Sequence, residues 1–467
     1  MITATGAAAR RLRDRCLVAA VALVARGAVI AWGGSRFPPA ADGTYYHRIA
    51  ERIASGHGYT WVWPDGAVTF AAHYPIGYPA LIGVFYTLFG VHPIWAMIVN
   101  ALFGVAGSVA AYELSRSSGF GKRAALFSGI GVALHPALLP YTLAVMTEGV
   151  TGALLVIAAA FAARSKIQPK KRWIIAIGMS LGIATLVRPQ SILLAPLFGW
   201  LASRGSMFIR VRTAIVVSAL AIACCLPWTA RNCVRMHRCA LVSMNAGWNL
   251  LIGEESTSGA WQPIDVPEDC KTVWDEAAKD ACFDRDARAR IENRPWKFLS
   301  HMPQKLSVTF DYFGGAPWYL HESNPAAFGD TAKTRLAIFE TIVSRIFLAG
   351  ALLSFAFISR RNRFSWLVAL VGLPFAFMRA GWLATAALAV AILVSKRGRE
   401  NVALGSASWT LLATAATHAI FFGAGRYGLV SSPFIFIVCA SCGMRAWRGK
   451  FSPSLATRSF KNSLSKS

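Results

Sequence analysis

The sequence predicts an all-α polytopic membrane protein with about 12 transmembrane helices. Hydrophobic residues make up 55% of its 467 residues and charged residues only 15%. The apolar stretches repeatedly approach the ~20 residues that cross a bilayer. The basic residues gather in short segments between these stretches, so the net charge of +26 indicates positive-inside topology rather than a nucleic-acid partner.

The first predicted span runs from about Cys16 to Trp32, behind the basic start RRLRDR, and makes residues 1–33 a cytoplasmic N-terminus with one helix. A cleaved signal peptide is the alternative, because small residues follow in PPAAD. Arg26 interrupts the apolar region and the bulky Trp32 ends it, which favours an uncleaved helix.

Hydropathy places spans two to seven within residues 93–228 and spans eight to twelve within 338–446. When the spans alternate, the segments RSSGFGKR, ARSKIQPKKR, SRGSMFIRVR, SRRNR, SKRGRE and RAWRGK all fall on one side. This predicts that both ends, including the basic tail 447–467, are cytoplasmic. The spans are expected at about 93–114, 123–139, 143–163, 172–187, 190–203, 211–228, 338–358, 364–379, 381–395, 402–422 and 428–446.

Two long segments then face outward, a first periplasmic loop at 34–92 and a section at 229–337 that is too polar to span. The apolar stretch Pro75–Phe89 in the first is too short to span and predicts a re-entrant helix. The second holds Cys233, Cys239, Cys270 and Cys282, which an oxidising compartment would let pair. Proximity suggests Cys233 with Cys239 and Cys270 with Cys282.

The first outward loop is the predicted seat of chemistry, because it is dense in polar and aromatic side chains that anchoring does not require. Asp42 in ADGTYYHRIAERIASGHGY is the candidate general base, a carboxylate able to take a proton from an acceptor hydroxyl. The alternative is that Asp42 only caps a helix starting near Tyr45.

Charged residues also stand at the predicted outward ends of spans. Arg188, Arg231 and Arg426 could bind phosphate bidentately, although snorkelling to the interface explains an arginine at a helix end equally well. Glu148 lies just inside such an end, where an acidic side chain is costly unless it forms an ion pair or has a function. Pairing with one of the arginines and binding of substrate are both open for it.

Read in order, the outward motifs resemble the GT-C superfamily of membrane glycosyltransferases. The resemblance is to the branch of lipid A aminoarabinose transferases and protein O-mannosyltransferases (PMT-like, glycosyltransferase family 39). It rests on the Asp42 run followed by HYPIGYP, MTEG, LVRPQ, PWTARN, NAGWNLLIGE, RPWKFL and FFGAGRYGLVSSP. GEESTSG stands where relatives carry Asn-Pro, a departure from the family pattern. The resemblance implies that the outward section at 229–337 forms a lid of helices over the site, and we call it the lid region.

The resemblance implies inverting transfer of a sugar from a polyprenyl-phosphate donor to an acceptor hydroxyl or phosphate, on the periplasmic face of the inner membrane. No Gly-rich nucleotide loop is present, which favours a lipid-linked donor. The acceptor, a lipid, glycan or protein, stays open, as does a divalent metal ion held with Asp42. The implied donor-phosphate ligands are Arg188, Arg231, Arg426 and Lys305, and the implied substrate contacts are Tyr46, His57, His73, Tyr78, Glu148, Trp248 and Asn249.

A twelve-span secondary transporter or flippase is the rival from another class. The two halves of the sequence show no similarity, and the longest loops follow spans one and seven rather than a central inner connection, which both argue against it. A receptor or assembly subunit without activity is the third possibility. It predicts that Asp42 can be replaced without loss.

Overall fold

The computed structural model describes residues 4–312, 314–359 and 362–451. Nearly all of the regular structure is helical, and the chain is a multi-pass membrane protein. The count of about 12 spans stays a prediction. Within the described residues, five helices are long and apolar enough to cross a membrane: Ala8–Gly33, Ile94–Ser117, Glu148–Ile167, Met207–Arg235 and Asp330–Ser359.

The loop at 34–92, which the sequence predicts to face outward, folds into helices and a small hairpin. Helix α2 is amphipathic and buries Tyr46, Ile49 and Ala50, which recur at helical spacing. The antiparallel hairpin pairs Thr60 with Phe70 and was not predicted. The elements are α1 (Ala4–Gly33), α2 (Asp42–Ala54), β1 (Thr60–Val62), β2 (Val68–Phe70) and α3 (Gly77–Phe89). Helix α3 lies within the stretch Pro75–Phe89, and its re-entrant placement stays a prediction.

The central bundle is built around α4 and α6, whose alanine-rich faces pack closely together. Prolines interrupt the predicted spans at 123–139 and 190–203, which contain Pro136 and Pro196, because proline has no N–H to donate within a helix. A 3-10 helix therefore follows α5 at Pro140–Leu143, and another precedes α8 at Pro189–Leu194. The helices are α4 (Ile94–Ser117), α5 (Lys122–Ala133), α6 (Glu148–Ile167), α7 (Lys171–Val187), α8 (Ala195–Leu201) and α9 (Met207–Arg235).

The lid region consists of short helices around a small apolar core that includes Leu251, Phe283 and Phe298. The side chain of Asp275 caps α12 by accepting from the backbone N–H of Ala278 at 2.7 Å. The structure contains both suggested disulfides, Cys233–Cys239 and Cys270–Cys282. The helices are α10 (Ala246–Glu255), α11 (Glu268–Lys271), α12 (Glu276–Asn293), α13 (Pro295–Phe310) and α14 (Gly315–Ser323).

The last part of the chain returns to the bundle, where α15 packs against α21. Arg360, Arg361 and residues 452–467 of the predicted basic segments lie outside the described residues. The helices are α15 (Asp330–Ser359), α16 (Arg363–Gly372), α17 (Gly381–Val394), α18 (Lys396–Glu400), α19 (Val402–Ile420), α20 (Gly425–Gly428) and α21 (Ser432–Phe451), with a 3-10 helix at Pro374–Phe377.

Three arginines converge on Glu113 and join α1, α4 and α6. Arg11, Arg15 and Arg164 approach its carboxylate oxygens at 2.6, 2.6 and 2.7 Å. Arg164 lies more than four turns after Glu148 on α6, about 24 Å along the axis. This Glu113 cluster therefore ties three helices together at one end of the bundle, far from Glu148.

Candidate active site

Asp42 is the first residue of α2, at the end of a constrained turn. Ala41 before it has φ of 48°, a region that L side chains rarely adopt. A Cβ on Gly43 would come within 2.8 Å of both the Tyr319 hydroxyl and the Val145 carbonyl oxygen, so this close approach requires glycine. The N-cap residue of α2 is Ala41, and the carboxylate of Asp42 contacts Arg426 and Tyr74, so the alternative in which Asp42 caps a helix starting near Tyr45 does not describe the structure.

Both carboxylate oxygens of Asp42 have partners from distant parts of the fold. Arg426 Nη2 donates to Oδ2 at 2.7 Å, and the Tyr74 hydroxyl donates to Oδ1 at 3.1 Å. The side chain is still 30% exposed. Burial raises the pKa of Asp42, but the charge and hydrogen bond of Arg426 and the bond from Tyr74 outweigh it and hold the pKa below its usual value. Asp42 is therefore an ionised, reachable proton acceptor.

Glu148, the first residue of α6, is the second acid of the site. Its Oε1 lies 2.8 Å from Arg188 Nη1 and 3.6 Å from Arg426 Nε, while Oε2 accepts from the Tyr141 hydroxyl at 2.8 Å. Only 3% of the side chain is exposed. Arg426 thus bridges the two acids, and we call Asp42, Glu148, Arg188 and Arg426 the ion cluster.

Aromatic rings hold the two arginines of the ion cluster. The Tyr427 ring centroid lies 4.9 Å from Arg188 Cζ and 5.2 Å from Arg426 Cζ, and Tyr427 itself stacks on His418 at 4.3 Å. The arginine side chains are 12% and 17% exposed. Their planes are fixed, and part of each guanidinium is accessible to an anion.

The other side of Asp42 is lined by aromatic residues. Tyr74 contacts Tyr45 and Tyr46, with ring centroids 5.2 Å apart in each pair. His73 stands edge-on to Tyr74 and to Trp248 of the lid helix α10. Burial lowers the pKa of His73 to about 4, so its imidazole is neutral near pH 7. The predicted residues Tyr46, His73 and Trp248 are thus brought to the Asp42 side.

Two predicted phosphate ligands lie elsewhere and hold protein carbonyls. Arg231 donates to the carbonyl oxygens of Tyr59 and Ala71 at 2.8 and 2.9 Å. Lys305, fully buried on α13, donates to the carbonyl oxygen of Ile420 at 3.2 Å. This geometry gives no support to their predicted contact with donor phosphate.

Three predicted substrate contacts also lie away from the ion cluster. Tyr78 is fully buried and donates its hydroxyl to Asn100 Oδ1 at 2.9 Å. His57 is exposed in the turn after α2, and Asn249 is half-buried on α10 beside Trp248. Of these three side chains, Tyr78 is the one that makes a hydrogen bond within the helical bundle.

Three tyrosines that organise the site were not among the predicted site residues: Tyr141, Tyr319 and Tyr427. Tyr74 and Tyr141 bond to the two acids, and Tyr427 holds the arginines. The Tyr319 hydroxyl accepts the backbone N–H groups of Ala40 and Val145 and so joins the segment before Asp42 to the one before Glu148. The available signal was that a buried tyrosine needs a hydrogen-bond partner.

The donor set does not favour a metal ion. Among the described residues, the structure has no group of three or more His, Cys, Asp or Glu side chains suited to holding one. Both oxygens of Asp42 are bonded to Arg426 and Tyr74, and His73 and His57 do not join them. We derive no step of the chemistry through a metal.

Comparison with solved structures finds the same fold in an archaeal enzyme. The oligosaccharyltransferase of Archaeoglobus fulgidus, solved with Zn and sulfate, matches with a TM-score of 0.50 at 14% identity, over 93% of this chain and 49% of that chain. The chain thus spans about half the length of that relative. ArnT from Cupriavidus metallidurans, solved with undecaprenyl phosphate, matches with a TM-score of 0.38 at 16% identity, over 95% of this chain and 79% of that chain.

Comparison with curated protein sequences finds no match. Residues 73–230 match the model of the family described as dolichyl-phosphate-mannose-protein mannosyltransferase. This region includes Glu148 and Arg188 of the ion cluster. The resemblance to membrane glycosyltransferases of the protein O-mannosyltransferase type is therefore confirmed over residues 73–230.

Proposed function

We propose that this chain is an integral membrane glycosyltransferase. It moves a sugar from a polyprenyl-phosphate donor to an acceptor hydroxyl on the extracytoplasmic face, with inversion and with Asp42 as general base. The observation that carries the proposal is the contact of Asp42 with Arg426, which sets a proton acceptor beside a fixed cation. The family matched at residues 73–230 supports the dolichyl-phosphate type of donor.

The arginines supply what the departing phosphate needs. As the bond from the anomeric carbon to the phosphate oxygen breaks, its electron pair stays on the oxygen, and the developing charge requires preorganised cations. Arg426 and Arg188 lie side by side over Tyr427, and Glu148 neutralises part of their charge in the resting site. A carrier phosphate can therefore replace carboxylate contacts rather than meet an empty cationic pocket.

Asp42 takes the proton. An acceptor hydroxyl attacks the anomeric carbon on the face opposite the phosphate, and its proton passes to a carboxylate oxygen of Asp42. In the resting site Arg426 keeps the pKa of Asp42 low. When the donor phosphate draws Arg426 toward itself, that pKa rises and the carboxylate becomes a better base.

The contacts of Glu148, the second acid of the site, favour a single direct displacement over a two-step mechanism with a covalent intermediate. A two-step mechanism requires a carboxylate nucleophile and a separate acid or base. Glu148 is 3% exposed and bonded to Arg188 and Tyr141, so it holds the arginines and is not placed to attack. Inversion at the anomeric carbon follows.

The test is transfer of label by the purified protein. Radiolabelled polyprenyl-phosphate sugars and a membrane extract should give labelled product with the native chain and none with Asp42→Asn. Asp65→Asn, an exposed acid in the hairpin turn of the same loop, is the matched control and should remain active. Activity of Asp42→Asn equal to that of the control would refute the proposal.

A transporter would behave differently in the same preparation. Gradient-driven uptake of a sugar substrate into proteoliposomes, unchanged in Asp42→Asn, would favour it. The side of the membrane has its own test. Topology reporters fused next to residue 42 and within the lid should read extracytoplasmic, and a cytoplasmic reading at residue 42 would overturn the proposed side.

A further inference from the structure

The segment Ala71–Tyr74, which we call the bridge segment, connects β2 to α3 and carries Tyr74. The Tyr74 hydroxyl donates to Asp42 Oδ1, so the backbone of this segment sets one of the two contacts of the proposed base. The segment has no regular secondary structure, and its backbone groups must therefore be satisfied by other parts of the chain.

The two ends of the bridge segment are held by Arg231 of helix α9 and by Tyr59, which lies between α2 and β1. Arg231 Nη1 donates to the carbonyl oxygen of Ala71 at 2.9 Å, and Nη2 donates to that of Tyr59 at 2.8 Å. The Tyr59 hydroxyl in turn donates to the carbonyl oxygen of Tyr74 at 2.5 Å. The guanidinium lies over the Trp228 ring at 4.7 Å, which fixes its plane.

The lid region holds the middle of the bridge segment. The backbone N–H of Ala72 donates to Glu276 Oε1 at 2.6 Å. The carbonyl oxygen of Ala72 accepts from the Met244 N–H at 2.8 Å. Glu276 begins α12 and lies inside the loop closed by the Cys270–Cys282 disulfide, so it moves only with the lid.

We propose that Glu276 and Arg231 are positioning residues, which place Tyr74 against Asp42 by fixing the bridge segment between the lid and α9. Tyr74 therefore keeps its contact with Asp42, the proposed base, only while the lid region packs against the bridge segment. This assigns to Arg231 a role on the acceptor side of Asp42 instead of a contact with donor phosphate. The inference rests on the proposed function, because it concerns the base of that reaction.

Loss of the Glu276 side chain should loosen Tyr74 without altering Arg188 and Arg426 of the ion cluster. Burial raises the pKa of Glu276 to about 7, and both its ionised and its protonated side chain offer an oxygen to the Ala72 N–H. Loss of this acceptor leaves the Ala72 N–H unpaired and should lower the turnover number of Glu276→Ala by about tenfold. Glu276→Gln keeps an oxygen acceptor for the Ala72 N–H and should restore turnover to within about threefold. Affinity for the carrier phosphate alone should stay unchanged in both.

Asp275→Ala is the matched control at the same helix end. It removes the cap of α12 but no contact with the bridge segment, so turnover should be that of the native chain. Equal losses in Asp275→Ala and Glu276→Ala would mean that lid stability alone matters and would overturn the proposal. Failure of Gln to restore turnover would overturn it as well.

Arg231→Ala separates the positioning role from phosphate binding. We expect lower turnover with unchanged affinity for undecaprenyl phosphate in detergent, whereas a large loss of that affinity would contradict the proposal. Amide hydrogen exchange of residues 71–74 needs no activity and should be faster in Glu276→Ala and Arg231→Ala than in Asp275→Ala. If the native chain transfers no sugar, the proposed function fails while this exchange test still decides the packing of the bridge segment.

Discussion

Arg426 Nη2 lies 2.7 Å from Asp42 Oδ2, although the two residues are 384 positions apart in the chain. The contact joins the loop at 34–92 to the segment before the last helix, α21. The same guanidinium faces Glu148, so a donor phosphate would compete with two carboxylates for it. This competition leads to the first two predictions.

Asp42→Asn should lose sugar transfer but still bind the carrier phosphate. Removal of general-base catalysis typically costs about 10²–10⁴ in rate. Because the amide has no charge to hold Arg426, affinity for undecaprenyl phosphate should be equal to or higher than that of the native chain. Calorimetric titration of the purified variant measures this affinity. A clear weakening would show that Asp42 supports the phosphate site instead of competing with it.

Arg426→Gln should move the acidic limb of the pH profile upward. Burial raises the pKa of Asp42, and Arg426 is the main group that holds it below its usual value. Without Arg426, only the Tyr74 hydrogen bond and the more distant charge of Arg188 oppose burial, so the pKa should rise. The carboxylate would then be protonated at a higher pH, and residual turnover would fall off earlier on acidification. Turnover measured from pH 4 to 8 tests this, and an unchanged limb would argue against Asp42 as the base.

Glu148→Gln should destabilise the fold more than the double variant with Arg188→Gln does. Breaking a buried ion pair from one side costs about 3–5 kcal/mol, because the remaining charge stays buried and unpaired. Removing both partners leaves no such charge. Thermal unfolding in detergent of the two single variants and the double variant gives the coupling energy. Additive losses would show that Glu148 and Arg188 do not stabilise each other.

Gly43→Ala should reduce both stability and transfer. The new methyl would overlap the Tyr319 hydroxyl and the Val145 carbonyl oxygen at 2.8 Å and displace the start of α2. Overpacking of this kind costs about 1–3 kcal/mol. Gly149→Ala is the control, because its Cβ would meet only Tyr141 at 3.9 Å. Equal unfolding temperatures for the two variants would contradict the close approach at Gly43.

Lys305 should make the stability of the lid depend on alkaline pH. Burial lowers its pKa to about 8 from 10.5, so between these values the unfolded chain binds more protons than the folded one. Stability therefore rises with pH across that window. The unfolding temperature of the native chain should rise relative to Lys305→Met between pH 8 and 10.5. A constant difference would mean that Lys305 is already neutral or not buried.

Sequence reasoning reached the elements that depend on local composition. Hydropathy located the apolar helices, and the short length of Pro75–Phe89 correctly predicted α3. It missed the hairpin of β1 and β2, where Asp65-Gly66 forms the turn, because only two three-residue strands pair there. The predicted span at 190–203 is divided between a 3-10 helix and α8, because Pro196 has no N–H with which to continue the helix from the preceding turn.

The pairing of distant side chains was beyond a single sequence. Asp42 stood out because an acidic residue in an aromatic loop has no anchoring purpose. Nothing local distinguished Arg426, which reaches Asp42, from Arg231, which binds the bridge segment, since both are arginines near aromatic residues at a helix end. Such contacts depend on how the helices pack around one another, and tertiary structure alone decides them.

The Glu113 cluster restricts where the molecule can open. Its three arginines fasten α1, α4 and α6 at the end remote from Asp42, and one acid leaves an excess of positive charge there. Relative motion of α1, α4 and α6 should therefore be smaller at this end than at the opposite ends of the same helices.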